Sequence, residues 1–257
     1  MQTLDSSEDA DLELMFAEIR RYPLLTADQE KAIDGRKWAA VDSLSTLFSE
    51  VADLRSTLAD SLINALECPP EVKRFPSREL HFTLRRELAP YFSDGNLAGI
   101  TIEAAKTLKK RGSKKRYADT VNGLNIPASL TVGIAVFMLR RAGGQFPDAV
   151  ADAIGHWSRH WLSPPAPIAL EPPVLKSIRR ALKEYTEARD ALVMHNLRLV
   201  HSIAGRYRGR GVGYLDLVQE GTSGLIRAAA RYLSGRGRQA VAAEMSWADG
   251  AGVCTES

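Results

Sequence analysis

Two apolar stripes at helical spacing, parted by a short break rich in glycine and arginine, constrain this chain more than any other feature. Over residues 174–208, Leu175, Ile178, Leu182, Tyr185, Leu192, Leu197, Leu199, Val200 and Ile203 recur at the intervals of a helix. Gly209, Gly211 and Gly213 then interrupt, and a second helical pattern runs from Tyr214 to Tyr232 with Leu217, Leu225 and Ile226 available to turn toward a packed partner. A striped helix must bury its stripe, and a short break between two of them predicts an antiparallel helical hairpin.

The rest of the chain reads the same way. Leu12, Met15, Phe16 and Ile19 fall at helical spacing, Pro23 interrupts, and Thr26 stands as an N-cap with Gln29 three residues on, the capping-box arrangement. Leu44, Leu47, Phe48, Val51, Leu54, Leu58, Leu62 and Leu66 form a stripe that predicts one amphipathic helix ending before Pro69 and Pro70. Further helices are predicted over 77–92, over the first part of the basic stretch 100–117 with a break near Gly112, and over 127–141 and 147–162. Pro164, Pro165, Pro167, Pro172 and Pro173 predict a linker. Strand-type alternation is scarce, so the fold class is all-α, with a division into 1–38, a helix-turn-helix pair; 39–173, a helical insert ending in the proline-rich linker; 174–233, the hairpin; and 234–257, a diverged tail.

Composition narrows the function classes. At 257 residues with 45% apolar and 25% charged side chains, the chain can bury a core, and global disorder is excluded. The net charge of +3 and pI near 8.9 are too slight to name a partner, but the excess of Lys and Arg over 176–238 makes the C-terminal third electropositive. Cys68 and Cys254 share no metal or redox spacing, and the acidic N-terminus has no apolar run behind it, so a cytoplasmic setting without a secretory signal is expected. No run of about 18 apolar residues occurs, so no membrane span is expected. His156 and His160 have i, i+4 spacing but no third ligand nearby, and Trp157 and Trp161 beside them favour a helix surface over a metal site. With no nucleophile–base pair, phosphate-cradling loop or paired carboxylates, neither catalysis, a cofactor nor a small-molecule substrate is expected.

The segment 196–232, carried by Asn196, Leu197, Arg198, Leu199, Val200, Ile203, Ala204, Tyr207, Arg210, Gly211, Leu215, Asp216, Leu217, Gln219, Glu220, Gly221, Gly224, Leu225, Arg231 and Tyr232, resembles region 2.1–2.2 of the bacterial sigma-70 family, the initiation subunits of RNA polymerase. Glu18, Ile19, Pro23, Leu24, Leu25, Thr26 and Glu30 are similar to region 1.2 of that family and occur in the matching order. The resemblance implies a helical region 2-like core, with 39–173 in the place of the non-conserved insert of primary-type sigma factors.

Asp216, Gln219 and Glu220 share a face at i, i+3 and i+4. Spacing alone also fits a solvated face, with Asp216 capping the helix start and Glu220 pairing with Arg227 or Arg210. The resemblance implies instead a docking surface for the arginine-bearing clamp coiled coil of the polymerase β′ subunit, made of Leu215, Asp216, Leu217, Gln219, Glu220, Thr222 and Leu225; carboxylates suit bidentate arginine recognition. Thr222 and Ser223 replace the asparagine and aliphatic residue usual in the family, which points to weakened core binding. Arg206, Arg208 and Arg210 around Tyr207 read as a basic helix end rather than a nucleic-acid patch.

Promoter DNA is the second implied partner. In the region 1.2-like helix the family's arginines fall on Glu13 and Ala17, with Met15 at the aromatic position and Phe16 beside it, and a carboxylate facing phosphate is unfavourable. Phe16, Arg20, Arg21 and Arg36 are the DNA candidates there. After Tyr232 the family's base-capturing rings are replaced by Ala240 and Ala243, while Arg236, Arg238 and Trp247 keep candidate DNA positions. The Ala/Gly-rich tail without periodicity fits a reading-frame change in a once longer protein, a hypothesis that translating the other frames past Tyr232 tests: no sigma-like continuation counts against it. The expectations are therefore a truncated or diverged sigma-type initiation factor, a helical decoy that occupies the polymerase clamp without touching DNA, or a degenerate gene fragment.

Overall fold

A computed structural model of the chain describes residues 13–14, 17–67, 95–124, 126–148, 151 and 169–231. These residues are helical with turns between, and no strand occurs among them, as the all-α expectation required. The helices are α1 (Ala27–Glu50), α2 (Ala52–Glu67), α3 (Gly95–Leu108), α4 (Lys114–Gly123), α5 (Ala128–Arg141), α6 (Pro172–Gly205) and α7 (Tyr214–Arg231), with a helical turn at 17–20 ahead of α1. The helices predicted over 77–92 and 147–162, and the tail 234–257, lie outside the described residues apart from 147, 148 and 151.

The chain divides into two compact units, one comprising Met1–Lys37 with Thr186–Ser257 and the other Trp38–Tyr185. The second unit is organised around α2 and α5. In α5 one residue after another is buried, including Leu130, Val132, Ile134, Val136, Met138 and Leu139, so this helix lacks a solvated side and acts as a core helix. Leu54, Leu58 and Leu62 of α2 and Leu44 and Phe48 of α1 close on the same cluster.

Local chemistry explains where these helices start and stop. Ser113 caps α4 by accepting from the Arg116 amide at 3.2 Å. The stripe from Leu44 to Leu66 does not form one helix: it is split at Val51 into α1 and α2. There the Arg55 guanidinium reaches back to the Ser49 carbonyl at 2.9 Å, and the Ser49 hydroxyl donates to the Thr46 carbonyl at 2.8 Å. Side chains thus take backbone carbonyls at the break, the usual physical cause of a helix interruption.

Two expectations about α6 are corrected. Pro172 and Pro173 open the helix instead of ending a linker, because a residue in the first turn has no intrahelical use for the amide that proline lacks. The helix also stops at Gly205, short of Arg208, and a turn carries the chain from 206 to 213. Gly209 and Gly211 there have φ of 78° and 86°, a region that disfavours residues with a Cβ. Basic residues 100–117 do break near Gly112, but a further helix, α4, follows the break.

Candidate interaction surface

The first unit is held by a small core in which Leu25, Leu192, Val193, Val200, Ala204, Val218, Leu225 and Ala229 are buried together. Val200 and Ala204 come from α6 and Val218, Leu225 and Ala229 from α7, so the hairpin expected from the two stripes is packed through their apolar sides. At its turn, His201 Nδ1 and the Tyr214 hydroxyl lie 3.0 Å apart. The Arg208 guanidinium sits 3.9 Å from the Tyr214 ring centroid, and Arg210 sits 4.9 Å from that of Tyr207. Burial, and then the Arg208 charge, pull His201 below its ordinary pKa.

The N-terminal segment is tied to this hairpin. The capping box forms as read: the Thr26 amide donates to Gln29 Oε1 at 2.9 Å and the Gln29 amide to Thr26 Oγ1 at 3.3 Å. Just before it, the Pro23 carbonyl meets His195 Nδ1 at 2.6 Å, and the Tyr22 ring stands edge-on to His195. Eleven residues after the cap, Lys37 lies fully buried, pairing with Asp34 at 2.8 Å and donating to the Ala229 carbonyl in the last turn of α7 at 2.9 Å. A cation suits the electronegative end of a helix. Burial nevertheless pushes the Lys37 ammonium below its ordinary pKa, against the upward pull of Asp34.

The outer face of α7 is what this packing leaves to solvent. Leu215, Asp216, Gln219 and Glu220 are exposed on one side. Asp216 is the acid of the first turn, where a carboxylate complements the helix dipole, and its Oδ2 lies 3.0 Å from where a Cβ on Gly213 would stand. Glu220 is 3.6 Å from the Arg227 guanidinium. Of the other sequence candidates on this helix, Leu217 is half-buried against the core and the half-buried Thr222 donates to the Val218 carbonyl at 2.8 Å. Leu225 is only 2% exposed. These three shape and support the face from within.

Ile226 departs from the sequence reading. It is 38% exposed instead of facing the packed partner, because Leu225, Ala228 and Ala229 already fill that side. With Leu215 it gives the acidic face an apolar residue at each end, and Val212 of the turn is half exposed as well. Helical periodicity places Ile226 near the border of the stripe, so only the neighbours decide its side. Of the DNA candidates, Arg20, Arg21 and Arg36 are exposed, with Arg21 paired to Glu18 at 2.7 Å. Phe16, Arg236, Arg238 and Trp247 lie outside the described residues, as do His156 and His160. Among the described residues no three His, Cys, Asp or Glu side chains gather to hold a metal, and no helix is long and apolar enough to cross a membrane.

Residues 192–242 match the family model for sigma-70 region 2, a span that takes in the second half of the α6 core contacts and all of α7. This segment is similar to region 2 of the sigma-70 family. Over 58 residues the chain is 50% identical to RNA polymerase sigma factor SigA1 of Synechococcus elongatus, covering 23% of this chain and 14% of that one. It is likewise 50% identical over 56 residues to SigA of Synechocystis, covering 22% and 13%, and 42% identical over 62 residues to sigB of Arabidopsis thaliana, covering 24% and 11%. The chain therefore matches about one seventh or less of the length of these sigma factors, and the region 2 match extends through residue 242.

Proposed function

We propose that this chain is a sigma-type factor that binds RNA polymerase core through the outer face of α7 and takes part in transcription initiation. The observation that carries the reading is the exposed acidic pair Asp216 and Glu220, flanked by exposed Leu215 and Ile226, on a helix whose opposite side is locked into the region 2 core. Carboxylates held on a rigid helix suit arginines of a partner helix pair such as the β′ clamp coiled coil, and the apolar ends supply area that excludes water around the charges.

Retention of the protein on immobilised core polymerase, compared with Asp216→Arg and Glu220→Arg, tests this. Both side chains are exposed, so reversal leaves the core intact while placing like charges at the contact. Retention should fall about tenfold or more; equal retention of wild type and both variants refutes the docking face. A second reading, a decoy that occupies the clamp without opening DNA, draws support from Ala240 and Ala243 standing where the resemblance calls for base-capturing rings. Promoter-dependent initiation in vitro supports the factor, and inhibition of initiation by another sigma supports the decoy.

A further inference from the structure

The region 2 surface leaves unexplained the most basic stretch of the chain, which lies in the other compact unit. From the last turn of α3 through the first turn of α4 stand Lys106, Lys109, Lys110, Arg111, Lys114, Lys115 and Arg116, with no acidic residue from 106 to 116. Among the described residues, Lys106 pairs with Glu103 at 2.9 Å and Lys109 with Asp60 of α2 at 2.7 Å, and the Lys110 charge also acts on Glu103. Lys110, Arg111, Lys114, Lys115 and Arg116 are all exposed.

This stretch is built as an ordered elbow. The Tyr117 hydroxyl donates to the Lys110 carbonyl at 2.9 Å and accepts from the Gly112 amide at 2.6 Å, so one side chain closes the turn. A Cβ on Gly112 would come within 3.2 Å of the Tyr117 ring, which explains the glycine. The ring is covered on its face by the Arg55 guanidinium, 3.7 Å from its centroid, and Arg55 Nε donates to the Leu108 carbonyl at 3.2 Å. With the Lys109–Asp60 pair, these contacts clamp the elbow onto α2.

The cations are placed against local stability. Lys114, Lys115 and Arg116 occupy the first turn of α4, which carries no acidic residue there, although the positive end of a helix disfavours cations. Mutual repulsion adds to that cost. Among the described residues no carboxylate in the first turn of α4 offsets these cations, and a local rule broken in this way marks a place for an external anionic partner.

We infer that the elbow 110–116 binds the phosphate backbone of duplex DNA without reading its sequence. The chemistry favours a polyphosphate over other anionic partners. None of the exposed large apolar side chains of the described residues falls between Lys106 and Arg116, so a protein partner would find no apolar anchor there and a membrane surface nothing to insert. A phosphate backbone asks only for closely spaced cations held in place. The contact lies in the Trp38–Tyr185 unit, outside the 192–242 region 2 match, and does not depend on the polymerase-docking reading.

Fluorescence anisotropy with the full chain and a labelled random-sequence duplex of about 25 base pairs, over a salt series starting at about 50 mM, tests the inference. Replacing Lys110, Arg111, Lys114, Lys115 and Arg116 with Gln should weaken binding at low salt by roughly tenfold or more, and should lower the salt-dependence slope by about 4.5, about 0.9 for each of the five lost phosphate contacts. The pair Lys114→Gln and Lys115→Gln alone should lower the slope by about 2. Circular dichroism verifies that both proteins keep their helices. Failure of wild type to bind the duplex, unchanged binding after neutralisation in folded protein, or tighter capture by polyglutamate or by phosphatidylserine vesicles than by DNA, lost in the same variants, would each overturn it.

Discussion

Lys37→Met is the most informative single perturbation of the region 2 unit. Lys37 and Asp34 have side chains 0% and 3% exposed, and the ammonium also holds the Ala229 carbonyl at 2.9 Å, so α1 and the end of α7 meet at one charge. Methionine keeps the unbranched apolar stem but removes the donor. Loss of a charge-assisted hydrogen bond of this kind costs about 1.5–3 kcal/mol, and leaving a carboxylate buried without its cation raises the total for a broken buried pair to about 3–5 kcal/mol. Asp34 has further interactions, which places the expected cost near the lower end, about 3 kcal/mol. Because the chain contains two compact units, a single global unfolding energy is the wrong observable. Hydrogen exchange resolved by peptide is the suitable assay: amides of 192–204 and 214–231 should exchange about a hundredfold faster, while those of α5 in the other unit should not change. The double variant Asp34→Leu with Lys37→Met, which removes both charges, should recover more than half of the loss. Unaltered exchange in 214–231, or a double variant as damaged as the single one, would refute the assignment of Lys37 as the tie between the helices.

Two further outcomes follow from the same unit. Thr26→Ala removes one half of the capping box and should destabilise the start of α1 by about 1 kcal/mol, read as faster exchange over 27–37; unchanged exchange would show that the cap contributes nothing. His201 has a folded pKa held below its ordinary 6.5, so the unfolded chain takes up a proton first. Its contribution is present above about pH 6.5 and is lost as the pH falls through the folded value. Between about pH 7 and pH 5 the His201→Gln protein should lose less stability in the region 2 unit than wild type; parallel losses would exclude His201 as a source of the acid sensitivity.

Much of the architecture was legible because its causes are local. Thr26 and Gln29 need only three residues of spacing to cap one helix, and the glycines at 209 and 211 mark a turn whatever surrounds it. The acidic side of α7 was readable for the same reason, since Asp216, Gln219 and Glu220 are brought together by helix pitch alone. Elements that depended on side chains arriving from elsewhere were not. The break at Val51 rests on Arg55 turning back to Ser49, and the helix Lys114–Gly123 begins after an elbow closed by Tyr117. Proline at 172 and 173 carries opposite meanings before and within a first turn, and only the helix that follows resolves which applies.

The amino-acid sequence by itself determined the helical class, the hairpin around 206–213, the capped entry into α1 and the acidic row on α7. Each follows from periodicity or turn chemistry within a few residues. Only the tertiary structure decided that Ile226 lies outside while Leu225 lies inside, and that the arginine and lysine elbow is clamped onto α2. It also decided that Lys37 and Asp34, an i, i+3 pair that would ordinarily sit in solvent, are buried against the last turn of α7. Pitch sets which residues share a face of a helix, whereas burial of that face depends on which other helix arrives to cover it.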